Sequence, residues 1–559
     1  MTRDNLELQK AIAVIKSQFG ENALDDDATL AKYSRDASLF EIRPQLVVFP
    51  RHSEDVQNLV QIVNAHPQAK LSITARSAGT DMSGGAVGES IIIDFTKHMQ
   101  GMGEIGDDYA VTLPGTFYRD FEVATLKKGL IYPAYPASKS ICAMGGIIGN
   151  NGAGEKTLHY GKAENYIKWL KVVFSDGKEY LVKPLTKTEF EAKITQNDFE
   201  GNIYKRIWNL LQNNTEAITA AKPNVSKNSA GYYLWNVWNG QTEIFDLTKL
   251  IVGSQGTLGI VTEICMKLVP IKKHSKMLIL FMKDLKNLGT IVDTILPFDP
   301  ESIESYDDKT LRLAIRFWRG FIRKRGFFGF IKMGLSFLPE FFMLLRKGIP
   351  KLVLMVEFAG DDELVLSKQI TDLQSALLKF GIPMKEAKSI ADAEKYWSIR
   401  RDSFALLREK VKGKHTAPFI EDIIVRPEYL PEFLPKLNAV LAQYPIEYTI
   451  AGHAGDGNFH IIPLMDFNDP KTAEIIYELS DKVYDLVLSY HGSITAEHND
   501  GIIRTPYLLK MYGLTIMKLF EDTKHICDPH NIFNPGKKVG GTKEYIREHL
   551  LKPEHVHGS

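Results

Sequence analysis

Residues Pro136–Gly161 read PASKSICAMGGIIGNNGAGEKTLHYG, a run with six glycines and few large side chains. A helix or strand is not built cheaply this way, because each glycine in an element interior costs up to about 1 kcal/mol relative to alanine. Close approach of backbone to a flat ligand explains the composition better.

Upstream, the pattern alternates strand and helix. QLVVFP reads as a strand, SEDVQNLVQIVNAH as an amphipathic helix opened by Ser53, and KLSITARS as a second strand. A loop of small and hydroxylated residues follows, Ser77-Ala78-Gly79-Thr80-Asp81-Met82-Ser83-Gly84-Gly85, and then the strand SIIIDF. Such a loop lets successive backbone N–H groups converge on a phosphate, with Ser and Thr adding donors; the alternative is a tight surface turn. Downstream, NYIKWLKVVFSDGKEYLV reads as a hairpin turning at Asp176-Gly177. A third small-residue stretch, Gly253-Ser254-Gln255-Gly256-Thr257-Leu258-Gly259-Ile260-Val261-Thr262, precedes the strand EICMKLVP.

These three stretches, in this order, resemble the flavin domain of the vanillyl-alcohol-oxidase-type, FAD-linked oxidase superfamily. The branch is that of D-lactate dehydrogenases, glycolate oxidase flavoprotein subunits and D-2-hydroxyglutarate dehydrogenases. The resemblance implies an α+β chain: an FAD-binding domain of two α/β subdomains (PCMH-type), and a cap domain of antiparallel sheet covered by helices. It puts Arg76, Ser77, Ala78, Gly79, Thr80, Asp81, Met82 and Ser83 near the FAD pyrophosphate. Pro136, Ser138, Gly145, Gly146, Asn150, Gly152 and Gly161 line the channel, and Gly256, Ile260 and Val261 close over the cofactor. Ala78 stands where glycine is usual and Gln255 where glutamate is common. The first loop has no histidine of the kind that attaches flavin covalently in some relatives, so FAD is expected to be noncovalent.

The expected division is an FAD domain over 1–272 with an N-terminal helix, a cap over 273–505, and a C-terminal helical segment over 506–559 that returns to the FAD domain. In the cap, KMLILFM, SIESYD, KLVLMVEFAG and FIEDIIV read as strands, and KQITDLQSALLKFG and LPEFLPKLNAVLAQY as helices. An insert over 311–350 interleaves Arg312, Arg316, Arg319, Arg323, Lys324, Arg325 and Lys332 with Phe317, Trp318, Phe321, Phe327, Phe328 and Phe330. Such a mixture suits an anionic membrane surface, or a helical insert packed on the cap or a partner.

Two further motifs carry chemistry. AGHAGDGNFH, Ala451–His460, sets His453 and His460 on either side of a Gly455-Asp456-Gly457 turn, and TAEHND, Thr495–Asp500, adds Glu497 and His498. Two imidazoles and a carboxylate suit a divalent cation with a position left open for substrate; packed core histidines are the plain alternative. The pair of motifs closely resembles the metal site of the D-2-hydroxyacid dehydrogenase branch. That resemblance makes His453, His460 and Glu497 ligands of a divalent metal, zinc first, with manganese and iron as alternatives. His498 becomes the proton acceptor, Asn458 a substrate or supporting contact, and Arg400, in WSIRR, the clamp on the substrate carboxylate, with Arg401 a weaker candidate. Asn534 in DPHNIFNPGK is expected near the flavin ring. Asn499 stands where relatives often have glycine.

Composition narrows the rest. Lys+Arg and Asp+Glu are equal at 68 each in 559 residues, which gives no reason to expect nucleic acid. Three dispersed cysteines, Cys142, Cys265 and Cys527, cannot ligate an iron–sulfur cluster, so electrons are expected to leave to a quinone or a separate iron–sulfur carrier. The N-terminus has too many charges for a signal peptide, and a cytoplasmic location, free or peripheral on the inner membrane face, follows. The expected reaction is oxidation of a D-2-hydroxy acid, D-lactate first, with D-2-hydroxyglutarate or glycolate as alternatives. A non-redox enzyme of the alkylglycerone-phosphate-synthase type is a further alternative.

Overall fold

The structure is a computed structural model that describes residues 3–316, 348–410 and 414–551. Most of the basic, aromatic insert, residues 317–347, lies outside the described residues.

The N-terminal half holds two small sheets. In the first, Leu46–Val48, Ile91–Asp94 and Ile73–Arg76 run parallel, with Ala23–Leu24 antiparallel at the edge. Helix Ser53–Ala65 is the crossover, and its apolar stripe of Val56, Leu59, Val60 and Val63 packs on Leu46, Val48, Ile91 and Ile93. The N-terminal helix Arg3–Phe19 adds Ala11, Ile15 and Phe19 to the same core. The second sheet is antiparallel, in the order Met102–Ile105, Tyr109–Thr112, Ile260–Lys267, Ile167–Val173, Glu179–Val182. The small-residue loops lie between these sheets: residues 77–90 join two strands of the first, and 253–259 lead into the central strand of the second.

The cap is an eight-stranded antiparallel sheet whose alternation decides where the site lies. Successive side chains on a strand face opposite ways. On strand His274–Met282, Leu278 and Leu280 join the core made by helices Leu288–Ile295, Glu363–Leu377 and Leu430–Leu441. Met277, Ile279 and Phe281 pack with Tyr396, Trp397 and Ile399 of helix Ile390–Lys410 on the other face. On strand Ser302–Asp307, separated from strand His274–Met282 by strand Leu352–Gly360, Ile303 belongs to the first face and Tyr306 to the second, so Glu304 projects toward helix Ile390–Lys410. The hairpin of strands Glu447–His453 and Asn458–Met465 sends Ile450, Phe459 and Ile461 into the first core, which turns His453 and His460 to the face of Glu304. The mixed α+β architecture with an antiparallel cap is as the sequence indicates.

Among the described residues no helix is long and apolar enough to cross a membrane.

The hairpin tip tolerates little change. Gly457 has φ +75°, and a Cβ there would overlap the Val425 carbonyl oxygen at 1.8 Å. Gly457→Ala is therefore expected to cost about 2–4 kcal/mol, from left-handed strain plus a clash with backbone. A melting temperature several degrees below the parent in calorimetry checks this.

Candidate functional site: an FAD cleft beside a carboxylate–histidine cage

A cleft opens between the two N-terminal sheets. Arg76, Ser77, Ala78, Gly79, Thr80 and Asp81 form one wall, Gly145, Gly146 and Asn150 a second, and Gly256 and Val261 a third. Asp81 braces the first wall by accepting hydrogen bonds from Ser83 N (3.1 Å), Ser83 Oγ (2.8 Å), Gly85 N (2.6 Å) and Asn150 Nδ2 (2.7 Å). Gly146 faces open space, and Gly149 meets only the Gln255 backbone at 3.9 Å. A side chain at either position would occupy the cleft; glycine leaves it to a flat ligand.

On the cap, side chains converge at the open end of the histidine hairpin. The ligating atoms of His453, His460 and Glu497 all lie within 4.8 Å of one another. Glu497 Oε1 is 3.1 Å from both His453 Nε2 and His460 Nε2. Glu304 Oε1 holds the other nitrogen of His453, Nδ1, at 2.5 Å. A carboxylate behind a metal-binding histidine fixes its tautomer and aims the free nitrogen inward. His498 stacks on His460 with ring centroids 5.0 Å apart, and its Nδ1 meets Glu421 Oε2 at 2.6 Å.

An FAD binding domain matches residues 44–182, and the C-terminal domain of FAD linked oxidases matches residues 271–538. The chain belongs to the FAD-linked oxidases. It is 26% identical over 547 residues to a D-2-hydroxyglutarate dehydrogenase of Pantoea ananatis, covering 95% of this chain and 52% of that one. It is 28% identical to the glycolate oxidase subunit GlcD of Bacillus subtilis, covering 92% and 94% of the two chains, and 25% identical to a D-lactate dehydrogenase of Anaerostipes hadrus, covering 96% and 97%. The chain spans about half the length of the Pantoea relative and of its Escherichia coli counterpart. Among solved structures, the 4-ethylphenol oxidase of Gulosibacter chungangensis shares the fold, with TM-score 0.68 and 17% identity over 96% of this chain and 98% of that one.

Within this FAD-linked oxidase, the expected cofactor residues divide into lining and support. Met82, Ser83, Pro136, Ser138, Gly152, Gly161, Ile260 and Asn534 lie outside the cleft lining. Ile260 is buried in the core of the first sheet. Asn534 stands behind the loops: its Oδ1 accepts from Thr74 Oγ1 (3.1 Å), and its Nδ2 donates to the carbonyls of Gly85 (2.8 Å) and Gln255 (2.7 Å). Asn458 is fully buried and donates to Asp422 Oδ1 and to the Ile423 carbonyl, each at 3.1 Å. Arg400 reaches the cage through Glu304, Nη2 to Oε2 at 2.5 Å. Arg401 turns instead to Glu155, with both contacts at 2.9 Å.

The structure adds residues that the motifs do not contain. Lys227 lies 3.0 Å from Asp456 and 3.4 Å from Glu497, and Arg504 lies 2.5 Å from Glu421. Five buried carboxylates, Glu304, Glu421, Asp422, Asp456 and Glu497, thus surround three permanent cations, Arg400, Lys227 and Arg504. Protonated His460 and His498 would balance this cluster; with neutral imidazoles, the form that binds metal, it carries two uncompensated negative charges, which suits a divalent cation and this donor set. Burial alone would raise the carboxyls of Glu497 and Glu421. Lys227 and His453 outweigh it for Glu497, and His498 and Arg504 for Glu421, so both are held well below the usual range. Burial likewise opposes protonation of the imidazoles, yet the carboxylates hold His460 up at about 8 and His498 at about 10. One signal for the missed residues was present: Glu421-Asp422 interrupts the apolar run Phe419–Val425, which folds as a turn leading into the short strand Ile423–Ile424 and not as one strand throughout, and adjacent buried acids need partners. Lys227 and Arg504 carry no such local mark.

Filling the cradle tests the cleft. Gly146→Leu is expected to abolish FAD retention while leaving the cap folded. The flavin-to-protein absorbance ratio of the purified variant, compared with parent protein saturated with FAD, measures it.

Proposed function

We propose that this chain oxidises a D-2-hydroxy acid to the 2-oxo acid, with D-lactate as the first candidate substrate. The reading is carried by one observation: a histidine–carboxylate cage joins directly onto the FAD cleft. Asn499, next to His498, donates to the carbonyl of Asn150 (3.2 Å) in the cleft wall and to that of Gly253 (2.9 Å).

When bound, FAD supplies the acceptor for the α-hydride, and a divalent metal supplies Lewis-acid polarisation of the substrate hydroxyl. His453, His460 and Glu497 would hold the metal, zinc first, with manganese or iron as alternatives. Glu421 fixes His498 through Nδ1, which leaves Nε2, 3.8 Å from Glu497 Oε1, to take the hydroxyl proton. The surplus negative charge that keeps His498 protonated falls once the cage is balanced, and its affinity for a proton falls with it. Arg400 clamps the substrate carboxylate; a guanidinium has five donors, so its pairing with Glu304 does not preclude this.

Among the described residues, each cation at the cage is already paired with a protein carboxylate. D-2-hydroxyglutarate and glycolate are the alternative substrates, and the screen below separates them from D-lactate. In this reading electrons leave to a quinone or a separate iron–sulfur carrier, and the insert over 311–350 rests on an anionic membrane surface at the cytoplasmic face.

An anaerobic screen of D- and L-2-hydroxy acids tests the proposal through bleaching of flavin absorbance. D-lactate is expected to bleach, a chelator to stop it, and added Zn²⁺ or Mn²⁺ to restore it. Bleaching by L-isomers alone overturns the reading. His498→Ala is expected to keep FAD and metal while lowering the reduction rate by about 10²–10⁴-fold.

A further inference from the structure

Asp422 is wholly buried, and among the described residues it makes no ion pair. Such a charge is tolerated only where hydrogen bonds replace its hydration. Four donors meet on Oδ2: Thr495 Oγ1 at 2.7 Å and the backbone N–H groups of Ala496 (2.9 Å), Glu497 (2.8 Å) and His498 (2.7 Å). The other oxygen, Oδ1, accepts from Asn458 Nδ2 at 3.1 Å.

These five donors belong to the two segments that build the cage. Thr495, Ala496, Glu497 and His498 form the loop that presents Glu497 and His498. Asn458 lies directly across the hairpin from His453 and two residues before His460. The Asp422 backbone also accepts from Ala496 N (3.0 Å), and Ile424 exchanges backbone hydrogen bonds with Ser493 at 3.0 and 3.1 Å. One carboxylate therefore sets the registration of the loop against the hairpin.

We infer that Asp422 is the positioning residue of the site, whose carboxylate aligns Glu497 and His498 with His453 and His460 by gathering the N–H groups of the 495–498 loop. The inference rests on the cage reading above. A carboxylate is required because both oxygens must accept, Oδ2 from the loop and Oδ1 from Asn458, and because its charge strengthens each of these bonds. An asparagine there would turn N–H donors toward N–H donors or leave the loop with fewer acceptors. Partners behind metal ligands typically contribute about 10–100-fold in metal affinity. Asp422→Asn is thus expected to weaken Zn²⁺ binding by about that factor.

The experiment uses the full chain with FAD bound, stripped of metal and titrated with Zn²⁺ alone against a chromophoric chelator, for parent and Asp422→Asn. Expected are retained FAD, a cooperative melt, Zn²⁺ affinity lowered about 10–100-fold, and slow flavin reduction by D-lactate even at saturating Zn²⁺. Zn²⁺ affinity within twofold of the parent overturns the inference, including where the melting temperature falls, because Asp422 would then be a staple of the fold alone. A parent that binds no Zn²⁺ sinks the cage reading and this inference with it. If Asp422→Asn does not fold, Thr495→Val removes one donor and keeps the carboxylate. It is expected to lower Zn²⁺ affinity measurably, and an unchanged affinity overturns the inference.

Discussion

Negative charge buried at one end of the cap sheet is the constraint on which the other features of the site depend. Taking a carboxylate out of water costs several kcal/mol unless it is paired or richly hydrogen-bonded. Glu304 meets this with Arg400 and His453, Glu421 with Arg504 and His498, Asp456 with Lys227, and Asp422 with four donors on one oxygen. Each solution draws a partner from a different part of the chain: helix Ile390–Lys410, the segment after Asp500, the loop before Gly231. The charge deficit that remains is local to the imidazoles, where a cation would sit.

Two neutral amides tie this cage to the flavin cleft, and both stand at left-handed backbone positions, Gln255 at φ +53° and Asn499 at +69°. Asparagine tolerates that region better than most residues, and glycine best. Where relatives often have glycine, Asn499 accepts modest strain and adds a side chain that reaches two carbonyls, those of Asn150 and Gly253. Gln255, where glutamate is common, keeps an acceptor for Gly501 N (2.8 Å) and adds a donor to Ser83 Oγ (3.1 Å) and Asn150 Oδ1 (3.3 Å). Of the three departures from the family pattern, Gln255 and Asn499 thus have a shared physical role: they are hydrogen-bonding ties at the same seam.

What the sequence makes legible follows from how local the information is. The loops at Ser77–Gly85, Pro136–Gly161 and Gly253–Thr262 announce themselves by composition, since backbone recognition of a ligand leaves glycine behind. His453, His460 and Glu497 are legible through two specific motifs. The partners are not. Glu304 lies 149 residues from His453 and Lys227 lies 270 from Glu497, and nothing near either position records the pairing. Asn534 is legible as a returning residue, but its place behind the cleft loops depends on which strand it closes against. Glu421 and Asp422 are the intermediate case, visible as acids in an apolar run once their burial in the turn before strand Ile423–Ile424 is known.

The seam between the two halves is uneven, and the unevenness bears on access. Its centre is made of buried ties: Asn499 to Asn150 and Gly253, Lys538 to Asp500 at 2.9 Å, and Gly231 N to Asp500 at 2.8 Å. Its rim is made of ion pairs with solvent-facing members, Arg401 with Glu155, Lys156 with Glu301 and His159 with Asp299. Exposed pairs contribute about 0–1 kcal/mol each, whereas breaking a buried pair costs about 3–5 kcal/mol. The seam is therefore held mainly at its buried centre, and the pairs of its rim, beside Glu155–Tyr160, contribute least. The proposed hydride transfer would depend on placement to within a fraction of an ångström, which a seam tied at its buried centre supplies.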